Sequence, residues 1–143
     1  MIKFVTASQA DFDTAYEFIE ALWTYNTYDK EKVKKVYEEV IQDKNSFVFF
    51  LYDDGECKGF CHGDYFNTFW MSGMTCYISS LIVKENVRNM GYGKALLDEA
   101  LKMARKNNCR AVILDSGISR TGAHKFYEKY GFKKSCFGFE LIL

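Results

Sequence analysis

Proline is absent from the 143 residues, and no segment is biased toward Gly, Ser or a single charge, so nothing marks a linker between domains. A chain of this length makes one domain, residues 1–143, the expectation. Net charge is absent too. Nineteen Lys and Arg balance nineteen Asp and Glu, which leaves no broad field to draw nucleic acid, an anionic membrane or a strongly charged protein. Any charged ligand then has to be held locally. No window reaches the roughly 18 apolar residues of a membrane span. Met1–Ala10 lacks the basic-then-apolar pattern of a secretory leader. The expected location is the cytoplasm.

Paired cysteines are also missing. Cys57, Cys61, Cys76, Cys109 and Cys136 form an odd set without C-x-x-C spacing, which argues against a disulfide framework and a redox pair. Free buried thiols are expected. Cys57, Cys61 and His62 are close in sequence, but they fall on a strand pattern and no second ligand pair follows, so no metal site is expected. His62, beside Gly63, reads as structural.

Apolar residues make up 48% of the chain, enough for one core. Their spacing gives the elements. Ile2–Thr6 reads as a strand, and Asp11–Thr24 and Asp29–Gln42 as amphipathic helices. Ser46–Tyr52 and Glu56–Phe66 flank Asp53-Asp54-Gly55, a hairpin signal. A loop over Asn67–Thr75 precedes a central strand, Tyr77–Val83, and Gly91–Asn107 carries the clearest helical stripe (Leu96, Leu97, Ala100, Leu101, Ala104). A buried strand Ala111–Leu114, a short helix Thr121–Lys129 capped by Gly131, and a last strand Phe132–Leu143 complete the chain. This order predicts a mixed α/β protein (α+β type), with helices flanking a central, mostly antiparallel sheet.

Chemistry is concentrated in two places. Arg88-Asn89-Met90-Gly91-Tyr92-Gly93 joins an apolar strand to the best helix, where unpaired N–H groups converge and an anion such as phosphate is favoured. Gly91 and Gly93 permit positive φ and close backbone approach, and Arg88 and Lys94 add charge. A tight turn without a ligand would select glycine as well. The loop matches neither the P-loop nor the dinucleotide fingerprint. The second place is Ala123-x-x-Phe126-Tyr127-x-x-x-Gly131-Phe132, where Tyr127 alone would read as a core aromatic. His124, on the same short helix, reads as an exposed or capping residue.

Taken together, Arg88-x-x-Gly91-x-Gly93 and the Ala123–Phe132 segment resemble the R/Q-x-x-G-x-G/A motif and the closing A-x-x-[FL]-Y-x-x-x-G-F segment of the GNAT superfamily of N-acetyltransferases. The motifs cover Tyr77–Phe132, and Met1–Cys76 agrees only in element order. The resemblance implies a GNAT-like sheet in which the strands around Ser80–Val83 and Val112–Asp115 splay to form a slot for acetyl-CoA, the cosubstrate. It implies that the backbone of Leu81, Ile82 and Val83 pairs with the pantetheine arm. Arg88, Asn89, Met90, Gly91, Tyr92, Gly93 and Lys94 would hold the pyrophosphate. Tyr127 would protonate the departing thiolate. The acceptor would be an amine, a small molecule rather than a protein, and a homodimer is left open.

Two positions depart from the family pattern. Ser79 stands where many members carry a glutamate base, and Arg120 where many carry asparagine. Proton removal would then fall to a water held by Tyr77 and Ser79, expected to share a strand face with Leu81, or to Asp115 or Asp64. Trp23, Tyr25, Tyr28, Phe66, Phe69 and Trp70 lie in two loops that the family places over the acceptor; core or lid packing is the plain reading of most of them, and a few, with Tyr28 the candidate, would form an apolar or cation-π wall for a cationic amine. Two rivals to the transferase remain: a CoA-binding sensor or partner-binding module on the same fold, motivated by Ser79, and a nucleotide-binding domain unrelated to CoA.

Overall fold

A computed structural model describes residues 1–143. Its first compact unit, Met1–Ile113, carries a sheet whose five strands lie side by side in chain order. The strands are β1 (Ile2–Thr6), β2 (Ser46–Asp53), β3 (Glu56–Thr68), β4 (Gly73–Val83) and β5 (Ala111–Leu114). The pairs β1–β2, β2–β3 and β3–β4 are antiparallel. The helices are α1 (Phe12–Leu22), α2 (Lys30–Gln42), α3 (Tyr92–Lys106) and α4 (Thr121–Tyr130), the last lying in the second unit, Leu114–Leu143.

Local chemistry accounts for several boundaries. Asp54 (φ 50) and Gly55 (φ 79) turn β2 into β3 with consecutive positive φ, the conformation that a two-residue hairpin with right-twisted strands requires. Asp29 caps α2 by accepting the N–H of Glu31 and Lys32 at 3.1 and 3.3 Å. The loop expected over Asn67–Thr75 shrinks to Phe69–Ser72, because β3 runs on to Thr68 and β4 starts at Gly73. Polar Thr68 and Thr75, linked by their hydroxyls at 2.9 Å, extend the ladder where hydrophobic pattern alone ends it.

One face of the sheet is covered by α1 and α2. Phe12, Ala15 and Phe18 of α1 and Tyr37 of α2 bury against Val48, Phe50, Phe60 and Ile82. Phe18 stacks on Phe60 with centroids 5.7 Å apart, and burying one such ring stabilises the fold by about 1.5–3 kcal/mol. The Tyr37 hydroxyl donates to the Ser8 carbonyl at 2.7 Å. α3 packs on the opposite face, with Leu96, Leu97 and Ala100 fully buried. Leu96 seats on Gly59, where a Cβ would come within 2.9 Å of its Cδ1.

Three further expectations change. β4 is interior, but β3 is the middle strand. β5 is half-buried along its length instead of buried, because it is an edge strand with only β4 beside it. Phe132–Leu143 contains no strand, and residues 133–143 are exposed. Alternating apolar residues select a face, but a strand exists only where a neighbouring backbone completes its ladder.

Candidate active site

A β-bulge breaks the pairing of β3 with β4 at the position where the family glutamate is missing. His62 pairs with Ser80 and Gly63 with Ile78, so Ser79 has no partner in the register. An extra residue of this kind re-aims side chains. Ile82 pairs with Phe60 and Ile78 with Gly63. Positions 60 and 63 lie on opposite faces, so Ile82 faces α1 and α2 while Ile78 faces the other way. The expectation that Tyr77, Ser79 and Leu81 share one face therefore fails. Tyr77 pairs with Asp64, on the α1–α2 face, and Leu81 with Cys61, on the α3 face.

The same register collects a polar row on the α1–α2 face, beside the apolar core. Ser46 lies opposite Asp64, and Val48 opposite His62. The Ser46 hydroxyl donates to Asp64 Oδ1 at 2.5 Å. His62 Nε2 stands 3.4 Å from that oxygen, close enough for charge attraction but not aligned as a hydrogen bond, and Nε2 has no hydrogen-bond partner. His62 Nδ1 is 2.7 Å from Ser79 Oγ. Burial holds the imidazole below its ordinary pKa, and Asp64 opposes that shift. His62 is 20% exposed and Asp64 39%, while Nε2 itself is buried. His62 was readable only as structural from sequence. The available signal was His62-Gly63-Asp64, two polar side chains forced onto one face by strand alternation.

Gly63 itself is required by packing. A Cβ there would lie 2.2 Å from Cζ of Phe47, whose ring stacks 5.8 Å from Phe49 on the face opposite His62.

β4 leads past Val87, which is buried, into the glycine loop. Gly91 (φ 88, ψ 0) caps α3, and Asn89 also has positive φ (63). The first helical bond closes from Ala95 N to Gly91 O at 3.1 Å, leaving the N–H groups of Tyr92, Gly93 and Lys94 as the unpaired start of the helix. Arg88, Asn89, Met90 and Gly91 are exposed, and a Cβ on Gly91 would meet no protein atom within 4 Å. The side chains of Tyr92 and Lys94 point elsewhere. The Tyr92 hydroxyl donates to Asp53 Oδ2 at 2.8 Å, tying the loop to β2, and Lys94 pairs with Asp98 at 2.7 Å.

Beyond the loop, the Arg110 N–H donates to Met74 O at 2.8 Å, so β5 starts beside the start of β4. Its four residues cannot reach the far end of an eleven-residue strand. Leu81, Ile82 and Val83 thus have β3 on one side and no strand on the other.

In the second unit, α4 ends at Gly131 (φ 129), with the N–H of Gly131 and Phe132 donating to the Tyr127 carbonyl at 3.1 and 3.0 Å. The Tyr127 ring lies between Phe126 and Phe132, at 5.3 and 5.8 Å. His124 Nε2 donates to the Gly117 carbonyl at 2.8 Å, a loop contact that does not cap α4. Asp115 is exposed. Among the aromatics, Tyr28 donates to the Trp23 carbonyl at 3.0 Å, while Tyr25, Phe66, Phe69 and Trp70 are exposed instead of packed. Of the thiols, Cys61 and Cys76 are buried, burial pushing Cys76 up to about 12, but Cys136 is exposed.

The model of the acetyltransferase (GNAT) family matches residues 12–132. The chain belongs to the GNAT family. A relative in Bacillus subtilis (strain 168), "Uncharacterized N-acetyltransferase YhdJ", is 32% identical over 126 residues, covering 87% of each chain. Among solved structures, a transcriptional regulator from Bacillus halodurans C-125 aligns with TM-score 0.88 at 20% identity, covering 100% of both chains. AAC(6')-Iy, solved with the bisubstrate analog CoA-S-monomethyl-acetylneamine, aligns with TM-score 0.85 at 15% identity, covering 100% of this chain and 98% of that one. These two likenesses establish the GNAT fold of this chain.

Proposed function

We propose that this GNAT protein transfers the acetyl group of acetyl-CoA to a small-molecule amine by direct attack in a ternary complex, with residues 1–143 acting as one transferase domain. The observation that carries this reading is the open helix start at Gly91 next to the strandless backbone edge of Leu81–Val83. Backbone N–H groups at a helix start suit a pyrophosphate. A free strand edge suits an amide-bearing arm such as pantetheine. The space above Gly91 is open for the first. AAC(6')-Iy, named as bound to a CoA-acetylneamine analog, supports both the cosubstrate and a small amine as acceptor.

The chemistry needs a neutral amine, although an alkylamine has pKa about 10.4. It also needs a donor for the oxyanion, which the unpaired edge near Val83 supplies, and a proton for the thiolate, whose free thiol has pKa about 8.5. Tyr127 is assigned that last role. Thermal stabilisation by CoA, followed by thiol release with a panel of aminoglycosides, polyamines and peptide N-termini, tests the proposal. CoA stabilisation without thiol release for any amine would favour a CoA-binding sensor, the reading that Ser79 in place of glutamate motivates.

A further inference from the structure

Ser79 and His62 stand at proton-transfer distance, with Asp64 near enough to His62 to steady its charge, an arrangement that a conventional single base would make unnecessary. Ser79 Oγ is 2.7 Å from His62 Nδ1. His62 Nε2 is 3.4 Å from Asp64 Oδ1, and Asp64 is held in place by the Ser46 hydroxyl at 2.5 Å. The bulge supplies the reason that Ser79 and His62 meet, since it takes Ser79 out of the β3–β4 pairing two residues before Leu81.

We propose that Ser79 and His62 are the general base of the transfer, with Asp64 as the positioning residue. The inference rests on the acetyltransferase reading above. As the amine lone pair bonds to the thioester carbon, the nitrogen becomes acidic. Its proton passes to Ser79 Oγ while the Ser79 hydroxyl proton passes to His62 Nδ1. The resulting imidazolium carries its other proton on Nε2, facing Asp64. Collapse of the tetrahedral adduct breaks the C–S bond, the thiolate takes a proton from Tyr127, and His62 returns its proton through solvent to restore the tyrosine. Atoms and charge balance without a further reactant.

The surroundings leave His62 suited to this role. Asp64 faces it along β3, and β4 brings Tyr77 opposite Asp64, with Ser80 opposite His62 itself. β2 contributes Ser46 and Val48. The helices on this face present apolar side chains with Tyr16 and Tyr37, the Tyr37 hydroxyl being spent on Ser8. Neutral imidazole therefore prevails at pH 7, and the relay requires the tautomer in which Nδ1 accepts from Ser79 and Nε2 carries the proton.

Two measurements test the relay. The chain has only two histidines, so the ¹⁵N-histidine spectrum resolves His62 from His124. His62 is expected as the Nε2–H tautomer, and Ser79→Ala is expected to weaken that bias. The kinetic test uses neamine, spermidine and glycyl-lysine as acceptors, taking whichever the wild type acetylates fastest. His62→Gln and Ser79→Ala should each lower the single-turnover rate by about 10²-fold or more, with KM for acetyl-CoA unchanged. The double variant should fall no further than the slower single, because both act in one relay. The acidic limb of kcat/KM, centred below the ordinary histidine pKa of about 6.5, should vanish in His62→Gln. Variants with the wild-type rate and acidic limb, or His62 held as the Nδ1–H tautomer, would overturn the relay and leave proton removal to water. A wild type that acetylates none of the three overturns the transferase reading and the relay with it. That outcome is recognisable because the wild type itself is silent.

Discussion

Replacing Gly91 by alanine separates a ligand site from a mere tight turn. The residue holds φ 88, and a Cβ there meets no protein atom within 4 Å, so the only cost within the protein is the left-handed backbone, roughly 1–2 kcal/mol. For a chain of this size that lowers Tm by about 3–8 °C. Gly55 provides a matched control, with φ 79 and nothing within 4 Å, but in the β2–β3 hairpin. Gly55→Ala should lower Tm comparably. At a CoA concentration 100-fold above Kd, the wild type gains about 2.7 kcal/mol. A methyl at Gly91 intrudes where a pyrophosphate approaches the N–H groups of Tyr92, Gly93 and Lys94. Loss of a single charge-assisted hydrogen bond, about 1.5–3 kcal/mol, weakens Kd about tenfold or more and cuts the gain at the same concentration to about 1.4 kcal/mol or less. Thermal unfolding with and without CoA measures this directly. A full wild-type CoA shift in Gly91→Ala, or an equal loss in Gly55→Ala, would refute the loop assignment.

Tyr127→Phe keeps the ring between Phe126 and Phe132 and should lower the single-turnover rate by about 10²–10⁴, whereas Phe126→Leu should cost stability and leave transfer nearly intact; a wild-type rate in Tyr127→Phe makes the tyrosine a packing residue only. Gly63→Ala must displace the Phe47 ring, an overpacking cost of about 1–3 kcal/mol, read as a lower urea midpoint; an unchanged midpoint would show that Phe47 moves freely. His62 is held below its ordinary pKa by burial, so the unfolded chain binds this proton first as pH falls. Its contribution to stability is therefore complete above about pH 6.5 and is lost as pH drops through the lower folded value. His62→Gln should flatten that part of the stability profile, and an unchanged slope between pH 6.5 and 5 would count against it.

Local signals determined much of this protein. Helical stripes, the Asp54-Gly55 turn and the strand-to-helix glycine loop each depend on residues within a few positions of one another, so α1 to α4, the β2–β3 hairpin and the Gly91 cap were legible in the sequence. The two motifs pointed to the glycine loop and to Tyr127 in the same way. Pairing between distant segments was not legible. Bulging Ser79 out of register puts Tyr77 on the face opposite Leu81 and brings His62 to Ser79, because a one-residue shift in a period-two strand moves every side chain beyond it to the other face. The same reason explains β5 and residues 133–143. Their alternation was visible, but burial and strand formation depend on which backbone lies alongside, and only the tertiary structure decides that.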